Sequence, residues 1–98
     1  MITITVTQEN INNGQVKCND TCPVALSFKG HKDIAHVGIF DKHSHLFLKK
    51  KIKGRTIMLD FDHSKELLNF IKEFDSGEKV SPASFVFSRK DLRRKVLL

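Results

Sequence analysis

The sequence contains no tryptophan and no tyrosine, and its eight residues of the Phe, Trp and Tyr class are all phenylalanine. The chain therefore lacks the rings with a polar group that are favoured at protein interfaces. Phenylalanine carries no such group, so we expect its side chains to lie first in the core. This composition argues against a protein that binds single strands by stacking their bases on aromatic rings.

Long apolar runs are also missing. No stretch approaches the roughly 18 consecutive apolar residues that a membrane-spanning helix needs. The opening residues, MITITVTQEN, do not show a positively charged segment followed by an apolar one, the pattern of a secretory signal peptide. We therefore expect a cytoplasmic protein without a membrane partner.

Cysteine is scarce, with only Cys18 and Cys22 in the chain. Without an export signal, two cysteines indicate reduced thiols rather than a disulfide framework, and we expect both to pack as small apolar side chains. A structural zinc site with His31 and one further ligand is a weaker alternative, because a single C-x3-C spacing is a poor zinc signature. A reversible disulfide between the two cysteines is the third interpretation. We expect no cofactor.

Ninety-eight residues suffice for one compact domain and are too few for two, because a shorter chain has little interior to bury. The apolar fraction of 40% and the charged fraction of 29% are those of an ordinary globular protein, so we expect the chain to fold. We expect a domain at residues 1–88 and a basic C-terminal tail or short helix at residues 89–98, where the spacing of Ser88 and Asp91 is that of a capping box.

The first elements are short. Residues 2–6 alternate apolar with β-branched polar residues, which predicts a strand with its apolar side chains in the core. Thr7 is placed to cap a short helix that Gly14 ends, since glycine accepts the left-handed conformation at a helix end. Pro23 suits the first turn of a second short helix, which Gly30 ends.

The central segments predict a three-stranded meander. Residues 34–40 and 46–48 are apolar and flank the polar turn 41–44, as in a hairpin. Residues 56–61 alternate again after Gly54 and predict the third strand.

The strongest helix signal covers residues 64–75, where apolar residues recur at three- and four-residue spacing between Ser64 and Gly77. A last strand follows Pro82 at residues 83–87. We therefore predict a small single α+β domain, with a mostly antiparallel sheet of about five strands, one main helix packed on it and short N-terminal helices.

Two motifs resemble those of a family of short bacteriophage and prophage proteins. The N-terminal motif is VTQENINNG at residues 6–14, followed by a cysteine pair and CPVAL at residues 22–26. The C-terminal motif is FIKEFDSG at residues 70–77, with Val80, Pro82 and Phe85 after it. The family patterns are VTxExIxxG, CPVALA and FIxxFDxGxxVxPxxF, so the resemblance spans most of the chain. The chain departs from them by three residues instead of two between the cysteines, and by its basic tail.

The family has no established activity, so the resemblance implies a viral or mobile-element setting and nothing catalytic. Small phage accessory proteins often bind and inhibit host machinery, including defence systems. The resemblance therefore implies an inhibitor or adaptor that docks on a host protein or nucleoprotein complex.

Basic residues dominate the charge, which is +6 overall, and ten of the seventeen lysines and arginines fall in two short stretches. The stretches, one expected in a turn and one in the tail, are Lys49, Lys50, Lys51, Lys53 and Arg55, and Arg89, Lys90, Arg93, Arg94 and Lys95. This charge argues against a DNA mimic and favours acidic or phosphate-bearing partners. A run of charge is also commonly only a solvated face. Direct nucleic-acid binding is therefore the alternative function.

Histidine and aspartate cluster twice, at residues 43–45 (HSH) and 60–63 (DFDH). Together they could supply divalent-metal ligands, as in a metal-dependent phosphodiester hydrolase, which is the second alternative. The same residue types also serve turns and helix caps through hydrogen bonds. Because the sequence has no phosphate-binding glycine loop, nucleophile elbow or diagnostic Cys-His pair, we expect no enzyme.

Overall fold

The computed structural model describes residues 2–98, and the fold that these residues adopt is α+β, as predicted. Their strands and helices are β1 (Ile2–Val6), α1 (Gln8–Asn13), α2 (Pro23–Leu26), β2 (Ile34–Ile39), β3 (His43–Ile52), β4 (Arg55–Asp62), α3 (Lys65–Asp75), β5 (Ala83–Phe87) and β6 (Leu92–Leu97), with a 3-10 turn at Arg89–Asp91. The predicted three-stranded meander is confirmed as β2, β3 and β4.

The strands form two antiparallel sheets rather than the single sheet that we predicted. The first and fifth strands pair with each other, with Ile2 opposite Phe87 and Val6 opposite Ala83. The second sheet has the order β2-β3-β4-β6. Buried and exposed side chains alternate along β1 and β5, so each strand has one buried face. These faces pack on the larger sheet, and the two strands therefore form a separate layer instead of extending that sheet.

The core lies between the two sheets and is closed at one side by α3, which contributes Leu67 and Phe70. Phe87 of β5 joins the layers, because its ring lies 5.6 Å from the ring of Phe28 and 5.5 Å from that of Phe61 in β4. The predicted placement of phenylalanine in the core is thus confirmed for these rings.

The predicted helix caps are present. Ser64 Oγ accepts a hydrogen bond from the Leu67 amide at 3.2 Å, and Thr7 begins α1 with a capping box. Gly14 ends α1 for a different reason from the one predicted. Its φ of −74° is not left-handed, but a Cβ there would lie 2.5 Å from Pro23 Cδ, so only glycine leaves room for the proline ring. No helix within residues 2–98 combines the length and the apolar character needed to span a membrane.

The β3–β4 hairpin is longer than predicted. His43 and Ser44 belong to β3 instead of the preceding turn, and Lys49–Lys51 also lie in this strand rather than in a turn. The turn itself is Lys53-Gly54, whose φ values of 50° and 76° fit a two-residue hairpin turn. Pairing with β4 starts at His43 opposite Asp62 and ends at Ile52 opposite Arg55, with a register shift between Phe47 and Lys51. Lys49 and Lys50 thus lie in the irregular part of the strand.

The C-terminal segment is not a tail outside the domain. Residues 92–97 form β6, which pairs with β4 from Leu97 opposite Ile57 to Leu92 opposite Phe61. The predicted capping box is absent, because Ser88 makes no side-chain capping hydrogen bond; its Oγ instead donates to Asp91 Oδ2 at 2.8 Å within one 3-10 turn. The predicted tail or short terminal helix is therefore wrong for residues 92–97, which form a strand because β4 would otherwise leave its hydrogen-bonding edge open.

Candidate functional site

The four-stranded sheet has one face on the core and one outer face. On β3, Ser44 and Leu46 are completely buried against the core, whereas the alternate residues His43 and His45 are half-buried on the other side. The register places Asp60 of β4 opposite His45. Arg94 of β6 lies opposite Asp60 and so continues this row of polar side chains across the outer face.

Two imidazoles and one carboxylate meet on this outer face. His43, His45 and Asp60 each present one ligand atom, and these three atoms lie within 4.8 Å of one another. The ring of Phe40 lies 5.0 Å from that of His43 and 5.1 Å from that of His45, so it packs against both imidazoles. The predicted histidine–aspartate cluster is thus assembled in part, by the pairing of β3 with β4.

Asp60 is the unusual member of this cluster, because its side chain is 2% exposed although the residue lies on the outer face. Its Oδ2 accepts a hydrogen bond from Arg94 Nε at 3.1 Å. Its Oδ1 lies 3.6 Å from His45 Nε2, too far for a hydrogen bond, and has no hydrogen-bond partner within residues 2–98. A buried carboxylate oxygen without a partner is costly, and native proteins rarely contain one without a reason.

Ser44 and His63 form a separate pair on the core side. Ser44 Oγ lies 2.6 Å from His63 Nε2, and His63 Nδ1 lies 3.3 Å from the carbonyl oxygen of Asp41. Burial is the main cause that lowers the pKa of His63 from 6.5 to about 4. The imidazole is therefore neutral at pH 7, donating through Nδ1 to Asp41 and accepting from Ser44 at Nε2. His63, which we had grouped with the metal candidates, serves as a structural residue here.

The His63 pKa predicts how stability changes with pH. Between pH 6.5 and about 4 the unfolded chain binds a proton at His63 and the folded protein does not. The free energy of unfolding should therefore fall as the pH drops through this window, by up to about 3 kcal/mol, with no further loss from this group below it. Urea unfolding at pH 7, 6, 5 and 4 measures this. His63→Gln should flatten the dependence, whereas exposed His36→Gln should not; equal slopes in all three proteins would contradict the assignment.

The two cysteines and His31 do not come together as ligands. Both cysteines are free thiols, and buried Cys22 caps α2 by accepting a hydrogen bond from the Ala25 amide at 3.5 Å. Burial also raises the pKa of the Cys22 thiol. His31 Nδ1 instead accepts from the Asp33 amide at 3.1 Å. Within residues 2–98, the group with metal-ligand spacing contains neither cysteine.

The basic surface, by which we mean the ten lysines and arginines named above, consists of exposed residues. Its two parts are residues 49–55, in β3, the β3–β4 turn and the start of β4, and residues 89–95, in and before β6. Both parts belong to one sheet because β6 pairs with β4. Arg55 Nη2 donates to the Leu97 carbonyl at 3.0 Å, which ties the start of β4 to the end of β6. Arg93 pairs with Asp62 at 3.5 Å and Arg94 with Asp60, while the other eight form no ion pair within residues 2–98.

A groove of about 1080 Å³ lies elsewhere, between the cysteine loop and α3. Cys18, Phe70, Ile71 and Phe74 are among the residues that line it. Its apolar walls are suited to another protein rather than to phosphates, so it is a second candidate surface.

Sequence reasoning found the basic residues and the histidines but missed Phe40 and the second role of Arg94. Phe40 was assigned to a strand as one more apolar residue, and nothing in the sequence indicates that its ring packs on two imidazoles. Arg94 was counted only as surface charge, since its contact with Asp60 depends on β6 pairing with β4. Comparison of this chain with protein-family models, curated proteins and solved structures gave no match.

Proposed function

We propose that this chain is a small basic binding protein of phage or mobile-element type, without a catalytic role, that acts in the host cytoplasm. The observation that carries the proposal is the pairing of β6 with β4, which places both basic stretches on one sheet. A segment that would otherwise be a separate tail contributes five of the ten charges of the basic surface. The two basic stretches thus belong to one four-stranded sheet, where they can meet an acidic partner.

The favoured partner is the phosphate backbone of a nucleic acid, alone or within a host nucleoprotein complex. Eight side chains of the basic surface have no carboxylate partner within residues 2–98, so their charge is available to phosphates. Displacing counterions from a nucleic acid supplies affinity that needs no base recognition. This fits a chain without tryptophan or tyrosine, which has few rings for base stacking.

The second candidate is an inhibitor or adaptor that docks on a host protein, as the resemblance to phage proteins implies. The groove between the cysteine loop and α3 favours it, because phenylalanine and isoleucine side chains line an opening of this size. Recognition there would depend on apolar contact and not on the basic surface, so salt would weaken it little.

Fluorescence anisotropy with duplex and single-stranded DNA and RNA at two salt concentrations tests the favoured partner. We expect binding that weakens steeply with salt. Replacing Lys49, Lys50 and Lys51 by glutamine should lower the affinity several-fold and flatten the logarithmic salt slope by up to about 3 units, since each lost phosphate contact contributes about 0.9.

The matched control replaces Lys65, Lys72 and Lys79, three exposed lysines on α3 and after it, which removes the same charge from another surface. This control should retain most of the affinity, and both variants should keep the thermal midpoint of the parent protein. Equal losses of affinity in the two variants would show that the protein attracts nucleic acid by its net charge alone. Absence of binding to every nucleic acid at low salt would contradict the proposal of a nucleic-acid partner and leave the groove as the candidate binding surface.

A further inference from the structure

We propose that His43, His45 and Asp60 form a binding site for one Zn²⁺ ion on the outer face of the four-stranded sheet. The inference does not depend on the proposed function. Two imidazole nitrogens and one carboxylate oxygen form a ligand set typical of zinc and similar first-row transition metals. Mg²⁺ and Ca²⁺ prefer all-oxygen sites, so this donor set selects against them.

The spacing of the three ligand atoms is close to that of a metal site. Ligand bonds of about 2.0–2.2 Å in a tetrahedral site place neighbouring ligand atoms about 3.3–3.6 Å apart. The three atoms here lie within 4.8 Å of one another. Small side-chain rotations of His43 and His45, which are half-buried, would close the remaining distance of about 1 Å.

The unpartnered oxygen of Asp60 is the second, independent observation. Its Oδ1 is buried, receives no hydrogen bond within residues 2–98, and faces His45 Nε2 at 3.6 Å. A cation bound between these atoms would supply the missing partner. Without it, the site holds a carboxylate oxygen whose desolvation is uncompensated.

The surroundings of the three ligands resemble the support that metal ligands receive in proteins. Arg94 Nε donates to Oδ2 of Asp60 at 3.1 Å, which fixes the carboxylate with its other oxygen toward the histidines. Phe40 packs on both imidazoles and restricts their positions. Such outer contacts orient ligands and strengthen metal binding. The fourth position of a tetrahedral ion would face solvent, where water completes the site.

Isothermal calorimetry with ZnCl₂ on the reduced full chain tests the site. We expect one ion per chain, a higher thermal midpoint in the presence of Zn²⁺, and no such effect of MgCl₂. His45→Ala and Asp60→Asn should each lower the affinity at least tenfold. His36→Gln changes an exposed histidine of β2 outside the cluster, so its affinity should match that of the parent protein.

Substitution of Co²⁺ for Zn²⁺ distinguishes metal binding at this site from metal binding by the cysteines. The Co²⁺ complex should lack the thiolate charge-transfer band that a cysteine ligand produces, and Cys18→Ser should bind Zn²⁺ as the parent does. Absence of saturable binding, a thiolate band, or full affinity in His45→Ala would overturn the proposal. Circular dichroism verifies that each variant is folded, and if Asp60→Asn is unfolded, His45→Ala decides the outcome.

Discussion

Removing residues 89–98 is expected to unfold the protein, although a chain that ended at residue 88 would keep every element of the predicted domain. The deletion removes β6, whose side chains Leu92 and Val96 are half-buried and contribute about 1 kcal/mol each. It also removes the hydrogen bond from Arg94 to the buried carboxylate of Asp60, which contributes about 1.5–3 kcal/mol. Together with the lost pairing of β6 with β4, these losses approach the lower end of the stability of a small domain, about 5–15 kcal/mol.

Circular dichroism and urea unfolding of the 1–88 chain measure this effect, and we expect no cooperative transition. The matched control keeps β6 and replaces Arg89, Lys90 and Lys95 by glutamine, which removes charge that forms no ion pair within the described part of the chain, residues 2–98. This variant should unfold like the parent protein. A 1–88 chain with the parent's midpoint would restore the domain boundary that the sequence suggested and refute a structural role for β6.

Phe87→Ala is expected to lower the free energy of unfolding by about 3–5 kcal/mol, because it leaves a cavity between the two sheets. The Phe87 side chain is almost fully buried and contacts the rings of Phe28 and Phe61, so neighbours from two distant parts of the chain lose a partner at once. Both rings are themselves buried in the packed core, so they cannot fill the space by a small shift.

Val86→Ala on the same strand is the control, because Val86 is 44% exposed and points away from the core. Its cost should stay below about 1 kcal/mol. Urea titration at pH 7 measures both variants. Similar costs for the two positions would mean that Phe87 does not join the sheets as described.

Local signals predicted most of the individual elements correctly. The period-two alternation of residues 2–6 and the spacing of Leu67, Phe70 and Phe74 have one structural interpretation each, and both elements form as predicted. The spacing of Leu92 and Val96 has two interpretations, because residues four apart share one side of either a helix or a regular strand. In β6 a register shift places Leu92 opposite Phe61 and Val96 opposite Met58, on different faces. The open edge of β4 decides in favour of the strand, and that edge exists only after the sheet has formed.

The candidate site likewise depends on a strand pairing that the sequence does not specify. The sequence placed two histidine–aspartate clusters near strand ends but gave no register between β3 and β4. A shift of one residue would turn every side chain of a strand to the opposite face. The observed register, with His45 opposite Asp60, brings His43, His45 and Asp60 together and sends Ser44 to the core, where it meets His63.

The sequence by itself determined the α+β class, the capped helix α3, the meander and the basic character of the chain, because periodicity, capping residues and composition act over a few neighbouring positions. Only the tertiary structure decided that the strands divide into two sheets and that the last residues complete the larger one. It also placed Arg94 beside the buried Asp60. Such pairings join residues that are far apart in the chain, and they depend on which edges and apolar faces remain open once the local elements have formed.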